Sequence, residues 1–416
     1  MSHSKKILIY FLFVFSLLVG LFFGENSSGG SKKDYNILIP YIEAFGRNFE
    51  QALFLYLDNA ATIIHSPLHY ILLGNLNNLF GNIFITKIFY IFFSSIIPII
   101  FFFILKKKTT KNLSGLFLFS LIIFLSPYFR SSSIWITGDN LALIFFSVSV
   151  LFYLKFLKNS NKKKIDLFLC FTFLILCSYI RYYYAPFILF YFYEFNKFLN
   201  FKWKFTVLVY CFLISLPAFG YFYYIFENTI FLNRAINYTG LSYPSNFFLI
   251  LSILLFYLFP FFVFKFKKIF EYYKKNYDVL IKIFLLLTFF ILVDFFFKNN
   301  LINFSIYGGG VFKKLFELTN INTKFAMYIF SILSLTLIDY SFKDYRKKNY
   351  LLLFIFLISF PMHTIYQKYF DPLFYFVFFG LVNFKNFDEI IDFNTKKLSA
   401  IYTYFLFFLI FCMFYY

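Results

Sequence analysis

Apolar runs dense in Phe, Leu and Ile alternate about thirteen times with short Lys-rich segments along the whole chain, and no stretch between them is long enough for a soluble domain. Counting a span as roughly 17 to 25 apolar residues, the pattern predicts helices over 7–23, 83–105, 113–129, 140–157, 166–180, 184–196, 205–226, 246–264, 279–297, 324–340, 350–365, 371–384 and 398–415. The fifth, sixth and twelfth are short or interrupted. The expected fold is therefore an all-α polytopic transmembrane helix bundle of about 11–13 spans, with 1–416 as a single membrane domain. Broken spans point to a cavity, because freed backbone groups find partners only where protein or water surrounds them.

Composition removes the soluble alternative: 61% of residues are hydrophobic and only 14% charged, against about a quarter charged in ordinary globular domains. The formal charge of +20 would suit nucleic acid if it lay on one folded face. Here the lysines punctuate apolar runs, so they report topology, and no nucleic-acid partner is expected. With Lys5 and Lys6 in the cytoplasm, the alternate connections carry most of the 39 basic residues, and the C-terminus falls outside. Residues 1–23 could also be a cleaved signal peptide, but the apolar run exceeds a signal core and further spans follow. Cys170, Cys177, Cys211 and Cys412 lie inside apolar runs without ligand spacing and are expected to be small buried hydrophobes.

The largest outside segment, Gly24 to Asn82, has a different composition, with five acidic residues and two histidines. Within it, 36–57 reads as an amphipathic helix with Ile39, Ile42, Phe45, Phe49, Ala52 and Leu53 on one stripe and Glu43, Arg47 and Glu50 elsewhere. A second helix is expected over 67–79. Residues 83–416 supply the rest of the bundle.

Three features of this arrangement carry a resemblance. Asp34 follows the first span in Gly29-Gly30-Ser31-Lys32-Lys33-Asp34-Tyr35; His65-Ser66-Pro67-Leu68-His69-Tyr70 is close to a His-Pro-Pro-Leu-Tyr pattern; and Tyr366-Gln367-Lys368-Tyr369-Phe370-Asp371-Pro372 is close to an Arg-Tyr-(x)n-Pro segment opening a late span. In these features the chain resembles the GT-C type of glycosyltransferase, most nearly the bacterial relatives of protein mannosyltransferases and lipid A aminoarabinose transferases. It departs from them in having Ser66 for the first Pro and a single acidic residue at Asp34.

The resemblance implies a sugar donor carried on polyprenyl phosphate, a glycan, lipid or protein acceptor, membrane lipids as surroundings, and a site facing the periplasm from a bacterial inner membrane. Displacement at the anomeric carbon needs a carboxylate to take the acceptor's proton and cations to meet charge on the leaving phosphate. The resemblance puts the carboxylate at Asp34, which could equally be a solvated loop residue, with Glu43 and Asp58 as substitutes. Arg181, at an aromatic junction between two short spans, could hold the phosphate or snorkel to the interface. Lys368, Arg234 and His65 are further phosphate candidates. Asp139, His69 and Tyr369 are candidate substrate contacts; Asp139 could instead cap a helix or pair with Arg130. Asp294 should face a cavity or pair with a lysine, and Gly308-Gly309-Gly310 reads as a flexible hinge.

No HExxH, DxD, GxSxG or Walker pattern occurs. That removes support from zinc hydrolysis, nucleotide-sugar transfer and ATP-driven transport; no cofactor is required, and no motif supports a divalent metal. Two alternatives remain. A lipid-linked sugar flippase or transporter would show two similar halves, and an O-antigen polymerase or ligase would carry its large loop late in the chain.

Overall fold

The computed structural model describes residues 2–58, 66–109, 112–159, 163–227, 243–296, 302–305, 307–385, 387–391 and 394–416. Every long element among these residues is a helix, and no strand occurs among them. Two compact units form, Met1–Asn233 with Tyr402–Tyr416, and Arg234–Ile401.

In the first unit the helices are α1 (His3–Phe22), α2 (Ser31–Arg47), α3 (Phe49–Asp58), α4 (Leu68–Phe80), α5 (Ile83–Ser94), α6 (Ile96–Lys108), α7 (Leu113–Ser120), α8 (Pro127–Ile134), α9 (Gly138–Lys158), α10 (Lys164–Ile180), α11 (Phe187–Phe195) and α12 (Phe201–Glu227). Side-chain caps set several starts. Ser2, Asn82 and Asn112 each accept a backbone N–H of the first turn, and Ser126 caps α8 ahead of Pro127. The second unit contains α13 (Tyr243–Phe262), α14 (Phe266–Lys275), α15 (Tyr277–Phe296), α16 (Gly310–Leu318), α17 (Thr323–Phe342), α18 (Arg346–Ile358) and the start of α19 (Thr395–Tyr415).

Eight helices among the described residues are long and apolar enough to cross a membrane: α1, α5 with α6, α9, α12, α13 with α14, α15, α17 and α19. A ninth is possible if Leu113–Leu125 and Pro127–Ile134, bent by 67°, count as one span. Four of the thirteen apolar runs fall short. The 166–180 run is a 17-residue helix and 184–196 a nine-residue helix, cut apart by Arg181 and Pro186. The 350–365 run stops at Ile358, and 371–384 is one helical turn followed by a π-turn over Phe376–Leu381. At about 1.5 Å per residue, nine residues cover roughly half a hydrocarbon core. Residues 371–382 are buried throughout, as irregular backbone in a membrane protein must be.

The amphipathic pattern over 36–57 resolves into α2 and α3, separated by Asn48 in an extended conformation. Ile42, Phe45 and Ala52 of the expected stripe are buried, while Phe49 is exposed. The second expected helix is α4. It crosses α2 at a pair of glycines so close that a Cβ on Gly74 would lie 2.7 Å from the Ile42 carbonyl oxygen and 2.8 Å from the Gly46 nitrogen.

In the second unit, Asp294 is buried and pairs with Lys324 at 3.1 Å while accepting the Ile302 N–H at 2.7 Å. The glycine triplet is a packed corner and not a hinge. All three glycines have positive φ, Gly309 donates to the Ile365 carbonyl at 2.6 Å, and a Cβ on Gly308 would crowd that same oxygen.

Because backbone atoms at the Gly46–Gly74 crossing cannot yield, Gly74→Ala should lower the unfolding free energy by about 1–3 kcal/mol. Gly30→Ala, whose Cβ would meet nothing within 4 Å, should leave it unchanged. Thermal unfolding in detergent measures both, and equal midpoints would show that the close crossing carries no weight.

Candidate functional site

Four elements of the first unit converge: the start of α2, the start of α4, α5, and the irregular segment joining α8 to α9. The joining segment is built from strained backbone. Ile136 takes φ +44°, a conformation a β-branched residue adopts only when its surroundings enforce it. Its carbonyl meets His69 Nε2 at 2.9 Å, and the next carbonyl, of Thr137, accepts the Tyr90 hydroxyl at 2.6 Å. Asp139, in the first turn of α9, accepts Arg181 Nε at 2.6 Å and the Thr137 hydroxyl at 3.3 Å.

Asp139 therefore neither caps α9, whose N-cap residue is Thr137, nor pairs with Arg130. Arg130 belongs to Glu25. Its Nε and Nη2 donate to the two carboxylate oxygens at 2.8 and 2.5 Å, both side chains are more than nine-tenths buried, and Nη1 donates to the Ser16 hydroxyl. Ser27 donates to the same carboxylate, and Trp135 Nε1 donates to the Glu25 carbonyl at 2.7 Å.

That indole bond orients the Trp135 ring for a feature the sequence reading missed. Lys87, in the second turn of α5, is 9% exposed, and its ammonium lies 3.8 Å from the Tyr35 ring centre and 4.6 Å from that of Trp135. Lys32 Nζ approaches the same indole at 5.5 Å. Among the described residues no carboxylate pairs with Lys87. A lysine five residues into an apolar helix is costly, and that cost was the available signal.

Asp34 lies in the first turn of α2, beside Tyr35, and is half-buried. Burial chiefly, with the Asp34 and Asp139 carboxylates, pushes the Tyr70 hydroxyl above its ordinary range, while Arg181 pulls it down. Burial pushes the His69 imidazole down to about 4, against the opposing Ile136 hydrogen bond, so the ring is neutral near pH 7. With Nε2–H donating to Ile136, Nδ1 is left as a buried acceptor without a hydrogen-bond partner.

Glu43 faces outward and pairs with Arg47 at 3.8 Å, and Asp58 is exposed at the end of α3. Lys368 and Tyr369 belong to the second unit, where Lys368 lies over the Tyr366 and Tyr369 rings and Tyr369 stacks on Phe360. His65 and Arg234 lie outside the described residues. Flanking Arg181, an apolar cleft of about 200 Å³ is lined by Ser66, Leu174, Ser178, Tyr179, Tyr182 and Ala218, among others. No group of three His, Cys, Asp or Glu among the described residues could hold a metal ion.

Comparison of the chain with family models, curated proteins and solved structures finds no match.

The depressed His69 pKa makes stability depend on pH with a definite sign. The folded state binds the imidazole proton less readily than the unfolded chain, so its contribution is complete above pH 6.5 and is lost as pH falls toward about 4. The loss should reach at most roughly 3 kcal/mol. Melting temperature in detergent should fall between pH 7 and pH 4.5, and His69→Gln, which keeps a donor for Ile136, should flatten that fall. An equally steep fall in the variant would assign the effect to other groups.

Proposed function

We propose that the protein is a membrane glycosyltransferase of the GT-C type, moving a sugar from a polyprenyl-phosphate carrier to a glycan, lipid or protein acceptor on the extracytoplasmic side. The observation that carries this reading is Lys87: a buried ammonium with no carboxylate partner among the described residues, held against two aromatic rings with a second lysine beside it. Cation–π contacts return about 0.5–2 kcal/mol, whereas desolvating an ammonium costs several kcal/mol. An incoming anion closes that gap, and a lipid-borne phosphate has the right charge and origin.

In this reaction the acceptor's nucleophile attacks the anomeric carbon, the bond from that carbon to the phosphate oxygen breaks, and the polyprenyl phosphate leaves with the bonding electrons. Asp34, next to the Tyr35 ring that carries Lys87, takes the acceptor's proton. Lys87 and Lys32 meet the charge growing on the phosphate. Arg181, already neutralised by Asp139, ties the end of α10 to the start of α9, and the apolar cleft beside it offers a surface for part of the isoprenoid chain.

Membranes or proteoliposomes supplied with sugar-bearing polyprenyl phosphate provide the assay. Asp34→Asn should cut turnover about a hundredfold or more with little change in donor KM. Lys87→Gln should raise donor KM about tenfold, the loss of one charge-assisted contact, and leave acceptor KM unchanged. Full activity of Asp34→Asn would remove the assigned base. Mass spectrometry of the copurifying lipid gives an independent check, since a sugar-bearing polyprenyl phosphate is expected there.

A further inference from the structure

Around the junction of α13 and α14 in the second unit, three lysines from two separate parts of the chain face one small cleft. Lys265 ends the turn that joins α13 to α14, Lys268 lies in the first turn of α14, and Lys343 follows α17; Tyr340, Ser341 and Asp344 complete most of the wall. The cleft has a volume of about 30 Å³, room for more than one water-sized group. Lys265 Nζ donates to the Ile390 carbonyl at 2.6 Å, and Lys343 Nζ lies 4.6 Å from the Tyr340 ring centre. Among the described residues no carboxylate forms an ion pair with Lys268 or Lys343, and Asp344 lines the cleft without pairing with either. The nearby buried Asp339 is occupied by the Tyr272, Tyr273 and Tyr350 hydroxyls and by Arg346.

The surroundings identify where an anion would come from. Phe264, Phe266 and Phe270 are each at least half exposed on the same junction, while Lys267, Lys274 and Lys275 add charge along α14. Helices α13 and α14 run on as 33 residues, about 50 Å at helical rise and longer than a hydrocarbon core of about 30 Å. The α14 end must therefore emerge into the headgroup layer, with aromatic rings toward the acyl chains and lysines among phosphates.

We propose that this cleft binds the phosphate of an anionic phospholipid, fixing the α13–α14 and α17 ends in the headgroup layer. Basic clefts between span ends suit that role, because lysines at that depth attract the phosphates of anionic lipid. This site is independent of the proposed transfer reaction.

Native mass spectrometry of the full chain released from mild detergent, with phosphatidylglycerol or phosphatidylcholine of matched chains, tests it. Phosphatidylglycerol should be retained at least fivefold more than phosphatidylcholine. Lys268→Gln with Lys343→Gln should abolish that preference, while Lys274→Gln with Lys275→Gln, outside the cleft, should keep it. Retained preference in the cleft variant, or equal loss in both variants, would overturn the site. In a parallel thermal-shift arm, millimolar inorganic phosphate should give less stabilisation than phosphatidylglycerol; an equal shift would mean a free-phosphate site and overturn the lipid assignment. The single variant Lys343→Gln should by itself reduce the preference severalfold, and an unchanged preference in it would overturn the site.

Discussion

A charge carried into an apolar bundle must find its counter-charge inside the protein, because neither lipid nor side chain will solvate it. The first unit obeys this at Glu25–Arg130, Asp139–Arg181 and Lys155–Asp166, and the second at Asp294–Lys324 and Asp339–Arg346. Each pair joins different segments of the chain or ties a helix end to its neighbour. For Glu25–Arg130, whose two side chains are both more than nine-tenths buried, removing one partner would leave the other buried and uncompensated, at a cost of about 3–5 kcal/mol. These pairs fix which helix faces meet, since apolar Phe and Leu surfaces alone would accept many registers.

Lys87 stands out against that background. Its ring contacts orient it without neutralising it, and Lys32 adds like charge nearby. A site that holds unbalanced positive charge at low dielectric is prepared for an anion, and the strength of that attraction grows as water is excluded. The aromatic neighbours contribute in a second way: Trp135 is itself held by the backbone of Glu25, so the Glu25–Arg130 pair supports the geometry around Lys87 through one hydrogen bond.

Much of the architecture was legible in the chain. Span positions follow from the apolar runs, and the amphipathic stripe groups Ile42, Phe45 and Ala52 on one face, although protein and not a membrane surface covers that face. The count of membrane-length helices was less so, because runs such as 184–196 and 371–384 look like spans by composition, yet Arg181, Pro186 and Pro372 interrupt them. Arg181 was identifiable as a cation at costly depth, Asp139 as an acid at a helix start and His69 from its loop motif, and they prove to lie around one strained segment. Their partners were not identifiable, since Glu25 and Arg130 are separated by 105 positions and periodicity carries no information at that range. Lys87 was overlooked because one lysine hardly alters the mean hydropathy of a 26-residue apolar helix.

The candidate site coincides with the breaks in the bundle for a reason that is energetic before it is chemical. A helix that stops within a membrane protein releases carbonyls that need donors, and here the donors are side chains: His69 for Ile136, Tyr90 for Thr137 and Ser66 for Tyr179. Of these donors, Ser66 also lines the apolar cleft that flanks Arg181. His69 performs the first task as a neutral ring, and the burial that keeps it neutral also leaves its Nδ1 as an acceptor. Protonation would add a positive charge beside Arg181 and eliminate that acceptor, so the same low dielectric that stabilises the break preserves the hydrogen-bonding capacity of the site.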